Sequence, residues 1–314
     1  MLKPLIYICL ALIFAYVVYW ARGSIRRLPP YTTTGGKAWH VGFRLTVWAI
    51  LIFLITPILV ILPLSFNSEP YFTYPMPGFS LRWYEDFIIG ENSAIWKLAI
   101  TNSVWIAFWA TLLATTLGTI AAVGLSNSKL PGRTLLMGIL ISPMIVPLVI
   151  TAVGMYFFYT VIGITPAQIE EIAPSLHLLP IILAHTALGT PFVVITVTAT
   201  LVGFDHSLTR ASASLGANGI TTFFKITVPL VLPGMISGAL FAFITSFDEV
   251  VVVLFLARAQ EYTIPRRMFS GIREQISPTI LAVAAVMVLL SICLLSVIEV
   301  LRRRNERMRG LSPG

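Results

Sequence analysis

The chain has 314 residues, of which 57% are hydrophobic and 11% charged, and its mean hydropathy is +0.89. A soluble domain carries about 25% charged residues, so a soluble enzyme is excluded and lipid must be the solvent for much of this surface. The net charge of +8 suits Lys and Arg gathered in cytoplasmic loops, and nucleic acid is not an expected partner.

Seven apolar stretches approach the roughly 20 residues that a membrane-crossing helix needs: 5–21, 45–65, 98–124, 135–162, 178–203, 230–257 and 279–301. The stretch 5–21 is the shortest. Lys3 ahead of it suits a signal peptide, but no small-x-small cleavage site closes it. Arg22, Arg26 and Arg27 instead suit the inner end of a retained helix, which crosses the membrane or lies along it. Residues 1–44 are therefore read as an apolar helix followed by a basic cytoplasmic linker that holds His40.

Pro57, Pro63, Pro143, Pro147 and Pro191 fall inside later stretches and predict kinks that packed neighbours accommodate. Pro143-x-x-x-Pro147 marks a broken or bent span. Cys9 and Cys293 read as small lipid- or core-facing residues, with no disulfide implied. His177 and His185 have no ligand-spaced Cys or acid beside them, and His206 reads as a loop residue. Neither a metal nor a cofactor is expected. Gly234-x-x-x-Gly238 fits a close helix contact, with chance as the alternative in a chain of 21 glycines.

Asp248 and Glu249 interrupt the run 230–257, about 12 Å from its outer end. Ionisable groups at that depth cost on the order of 3 kcal/mol and face a bundle interior or a wet cavity. One carboxylate meets a cationic solute, or the pair is satisfied by helix caps, by the hydroxyls of Thr245 and Ser246, or by a basic residue. Adjacent helix positions point about 100° apart, so one acid of the two is expected on the pathway.

If the connection 204–229 is cytoplasmic, its side of the membrane carries 14 of the 21 Lys and Arg, and most acids lie opposite. That bias puts this connection and the C-terminus inside. The tail 303–314 continues a basic run, Arg302, Arg303, Arg304, Arg307 and Arg309, suited to anionic headgroups.

The same connection is the most informative segment. It reads as a short helix from Ser207 to Ala217, a bend at Gly216 and Gly219, and a second helical piece ending at Pro229. Ala211, Ala213, Ser214 and Ala217 permit close approach by another surface, while Leu208, Leu215 and Phe223 stay exposed unless something covers them. A docking element and a loop packed on its own membrane domain fit equally well.

The segment resembles the "EAA" loop of permease subunits of binding-protein-dependent ABC importers. Gly216, Ile226 and Pro229 match that pattern at its spacing, and Pro233-Gly234 follows. Arg210 stands for the family's Glu, Ser212 for its second Ala and Val228 for its Leu. Arg210 reverses the charge, so the contact of the family's carboxylate does not carry over. The likeness covers about residues 50–305, with Pro63-Leu-Ser-Phe-Asn-Ser68, Phe79-Ser-Leu-Arg-Trp-Tyr84, Pro191-Phe-Val-Val-Ile-Thr-Val197, Gly203-Phe-Asp205 and Ser246-Phe-Asp-Glu-Val-Val-Val252. Spermidine/putrescine permeases look most similar; permeases for iron, thiamine, phosphonates and opines share much of the pattern.

The resemblance implies an all-α type I importer permease fold with six core helices, occupying 45–302, plus an extra N-terminal helix. It implies a cytoplasmic ATPase dimer, a second permease subunit and an external solute-binding protein as partners. Leu208, Arg210, Ala211, Ser212, Leu215, Gly216, Ala217, Ile226 and Pro229 would form the coupling loop, and Asp248 and Glu249 the substrate path. No G-x-x-x-x-G-K-[ST] phosphate loop occurs in the chain, so ATP hydrolysis would belong to a partner. An ion-coupled secondary transporter would account for the acids but not for 208–234. An intramembrane enzyme would need a polar constellation over several spans, and only one acidic pair is present.

Overall fold

The computed structural model describes residues 23, 25, 28–71, 76–91, 93–126, 130–205, 207–258, 260–274 and 277–308. The stretch 5–21, Cys9, Arg22, Arg26, Arg27, Lys129, His206 and Arg309 lie outside them, as do the side chains of Arg302, Arg303, Arg304 and Arg307. The described residues are almost all helical, and their one β pairing is an isolated bridge between Asn67 and Phe79. Among the described residues, six helices are long and apolar enough to cross a membrane. Helices that satisfy every backbone group internally are the form a chain this apolar can take in lipid.

The chain divides into two compact units, Met1–Leu64 and Ser65–Gly314. In the first, α1 runs over Thr34–Leu64 and buries none of its residues. It begins well before 45, because no proline interrupts the stretch from Thr34 to Arg44, and Gly35, Gly36 and Gly42 are carried within the helix. His40 is therefore helical and not in a loop. Pro57 and Pro63 both lie inside it.

The second unit opens with a turn braced by Trp83, whose indole Nε1 donates to the Asn67 carbonyl at 2.6 Å. Then come α2 (Arg82–Ile88), α3 (Ser93–Leu125), α4 (Arg133–Ile145), α5 (Leu148–Ile162), α6 (Pro166–Ile172) and α7 (Leu179–Leu201). The stretch 135–162 is indeed broken. Val146 is extended and Pro147 has no N–H to give, so α4 stops and α5 starts afresh. Pro143 is carried within α4.

The remaining elements are α8 (Ser207–Ser214), α9 (Gly219–Thr222), a π-turn (Phe223–Thr227), α10 (Val228–Phe247), α11 (Val251–Leu256), α12 (Ile264–Glu274) and α13 (Pro278–Met308). The core is α3, α7 and α10, brought close by small residues. A Cβ on Gly118 would sit 2.7 Å from Val193 Cβ, and one on Gly238 would sit 2.7 Å from Val193 Cα. Gly234 meets Thr196 and Thr200 in the same way, so the Gly-x-x-x-Gly pair is a real α7–α10 contact. Thr186, Thr190, Thr196 and Thr200 return their hydroxyls to carbonyls of their own helix, so these four ask nothing of neighbouring helices.

Candidate functional site

Two constructions lie at the opposite ends of α10. At its N-terminal end the chain forms a brace. Asp205 Oδ1 accepts the Ser207 N–H at 2.8 Å and starts α8. The helix ends at Ser214, three residues before the expected Ala217. Gly216 explains the stop. It adopts φ +83, its N–H donates to Ala213 O, and the Ala217 N–H donates back to Ser212 O. That pair of bonds is the Schellman closure, which a residue with a Cβ enters only with strain.

Asn218 then caps the next piece, its Oδ1 accepting the Thr221 N–H at 2.8 Å. Ser212 is buried, donates to Thr209 O, and meets the Thr222 hydroxyl at 2.8 Å. It therefore points inward and ties α8 to α9, while its neighbours face out.

The second helical piece does not end at Pro229. It passes through the π-turn, where the Val228 N–H bonds to Phe223 O, and continues into α10. The wider turn accommodates a proline that cannot donate. Ile226 is half-buried there and Pro229 is exposed. Leu215 is 89% exposed and Ile220 72%. Leu208, Arg210, Ala211 and Phe224 are exposed as well, and Ala217 is half-buried. Phe223, expected to stand out, is half-buried against Phe224.

At the other end, α10 stops at Phe247, and the run 230–257 is two helices and not one. Residues 248–250 leave the helix. Glu249 is buried, and its Oε1 accepts the Val252 N–H at 2.8 Å, capping α11. Asp248 is exposed, and its carboxylate has no hydrogen-bond partner among the described residues. Ser246 Oγ lies 2.8 Å from His185 Nδ1, pinning the end of α10 to α7.

Sequence spacing gave no signal for a further cluster beyond α11. Arg258 pairs with Glu170, 88 positions away, and with Glu261 Oε1 through Nε at 3.1 Å and Nη2 at 2.9 Å. Donating first to Glu170 and then to Glu261 holds the guanidinium above its usual range. Arg266 Nη1 donates to the Arg258 carbonyl at 2.5 Å. Asn102 Nδ2 donates to Tyr262 O, and Ser103 Oγ accepts the Ile264 N–H, which fixes the same loop to α3.

A bundle of apolar spans with a shaped, exposed inter-helix brace defines a multi-pass, all-α membrane protein. The chain belongs to the family of binding-protein-dependent transport system inner membrane components, whose model matches residues 114–307. It is 33% identical over 264 residues to the spermidine/putrescine transport system permease protein PotC of Haemophilus influenzae, covering 84% of this chain and 96% of the relative. It is 32% identical over 233 residues to the putrescine transport system permease protein PotI of Escherichia coli K12, covering 74% and 80%. In fold it matches a bacterial ABC transporter involved in the import of the acidic polysaccharide alginate, with TM-score 0.63 and 15% identity over 88% of this chain and 99% of that one. The protein is thus a multi-pass inner-membrane transporter subunit and not an enzyme.

Proposed function

We infer that this protein is one permease subunit of an ATP-driven importer of small polyamines such as putrescine and spermidine. The observation that carries this reading is its likeness along most of the chain to permeases of spermidine/putrescine systems. The exposed carboxylate of Asp248, in the break between α10 and α11, supports it, since an exposed anion beside a span suits an aliphatic cation. Glu249 serves the same site by holding the break open from inside. Phosphonate, opine, iron and thiamine remain the rival substrates within the family.

The segment 207–229 would dock on a separate cytoplasmic ATPase, with 204–229 and the C-terminus inside as the Lys/Arg bias indicates. Residues 45–302 would act as the permease domain, beside a second permease and below an external solute-binding protein. The tail 303–314 would rest on anionic lipid. Uptake of labelled putrescine by cells holding the full set of components tests the reading. Uptake is expected to fail on ATP depletion and to survive a proton uncoupler while ATP is maintained. The reverse pattern would identify an ion-coupled carrier, and uptake of no polyamine would move the substrate to another class.

A further inference from the structure

The charged groups of the brace are unequal. Asp205 spends its carboxylate on the Ser207 N–H at the start of α8. Arg210 and Lys225 are exposed, and neither meets a carboxylate among the described residues. Arg210 shares an eight-residue helix with Leu208 and Ala211, and the 89%-exposed Leu215 follows at its end. A surface that covers those apolar groups takes water from Arg210 as well. A guanidinium losing water without a counter-charge opposes binding, whereas one that finds a carboxylate gains a two-pronged, oriented contact.

We propose that Arg210 selects the ATPase partner by charge: it meets an acidic side chain at the rim of the groove that receives α8. This rests on the docking reading above and adds the chemistry of the partner. The inward Ser212–Thr222 hydroxyl contact and the Gly216 closure hold α8 in one orientation, so Arg210 is presented at a fixed place. Exposed Ala211, Ala213 and Ser214 let a protein surface approach close to the helix backbone, which a layer of headgroups does not require.

The test is binding of the cognate ATPase to the assembled permease pair in lipid nanodiscs, at low and high salt. Arg210→Glu is expected to weaken binding about tenfold at low salt, with a smaller gap at high salt, and Arg210→Lys to retain most of it. An acid-to-lysine substitution in the ATPase groove should restore Arg210→Glu. Leu215→Asp is the control for docking itself. Wild-type binding by Arg210→Glu, with binding lost in Leu215→Asp, overturns the charge proposal and leaves the docking reading standing. Wild-type binding by both variants removes the docking reading too. A defect confined to discs containing anionic lipid would assign Arg210 to headgroups and overturn the proposal.

Discussion

The two ends of α10 are built by opposite means. At Phe223–Thr227 the helix is entered from an exposed brace whose polar groups are satisfied locally, by caps and a Schellman closure. At Phe247 it stops, and Ser246 and Glu249 there are satisfied across helices or by the next helix's N-terminus. One end keeps its apolar residues available to a partner. The other buries Glu249 and leaves Asp248 open. The contrast separates groups that shape the protein from groups that act on something else: among neighbouring residues, the satisfied member shapes and the unsatisfied member is free to bind.

That contrast can be broken by mutation. The largest effect is expected for Gly216→Pro. Proline cannot take φ +83 and removes the N–H bonded to Ala213 O, at about 3 kcal/mol or more. Membrane insertion should persist while ATPase assembly and uptake are lost; intact assembly would refute the brace. Glu249→Ala comes next. It strands the Val252 N–H and should cost about 1–3 kcal/mol, seen as a lower melting temperature of the purified permease.

Asp248→Asn should leave that melting temperature unchanged and raise the KM for putrescine uptake several-fold. Should Asp248→Asn unfold the protein and Glu249→Ala spare it, the two roles would have to be exchanged. The smallest effect is expected for Ser212→Ala, about 1 kcal/mol in stability, with a modest fall in the ATP turnover stimulated by substrate.

The brace was largely legible in the sequence, because small residues, a glycine and two prolines at fixed spacing act locally. Its helix boundary missed by three residues, since Ala217 is as good a helix former as Ala213 and only the positive φ of Gly216 tells them apart. The face of Ser212 was not legible: its partner Thr222 lies ten positions on, across a turn. At the other end, a run of valines after Glu249 gives no sign that the helix breaks, and Glu249 reads as a membrane charge when it is a cap. His185–Ser246 and Arg258–Glu170 are 61 and 88 positions apart, beyond the reach of any periodicity. The count of six core spans holds among the described residues, but the interruption at 248–250 was not legible, because apolar runs show where lipid is and not where a helix is broken within them.

The π-turn has a consequence for anyone grafting loops between permeases. It winds one more residue into its turn than an α-helix would. Deleting a single residue there while the turn tightens to ordinary winding would keep α10 in phase with the brace, whereas keeping every residue and losing the wide turn would rotate the sequence of α10 by about 100°. Gly234 and Gly238 would then swing away from α7, and the side chains one step along would meet Val193 and Thr196 instead. A chimaera that matches the motif letter for letter but loses the wide turn would carry a correct docking element on a wrongly phased shaft.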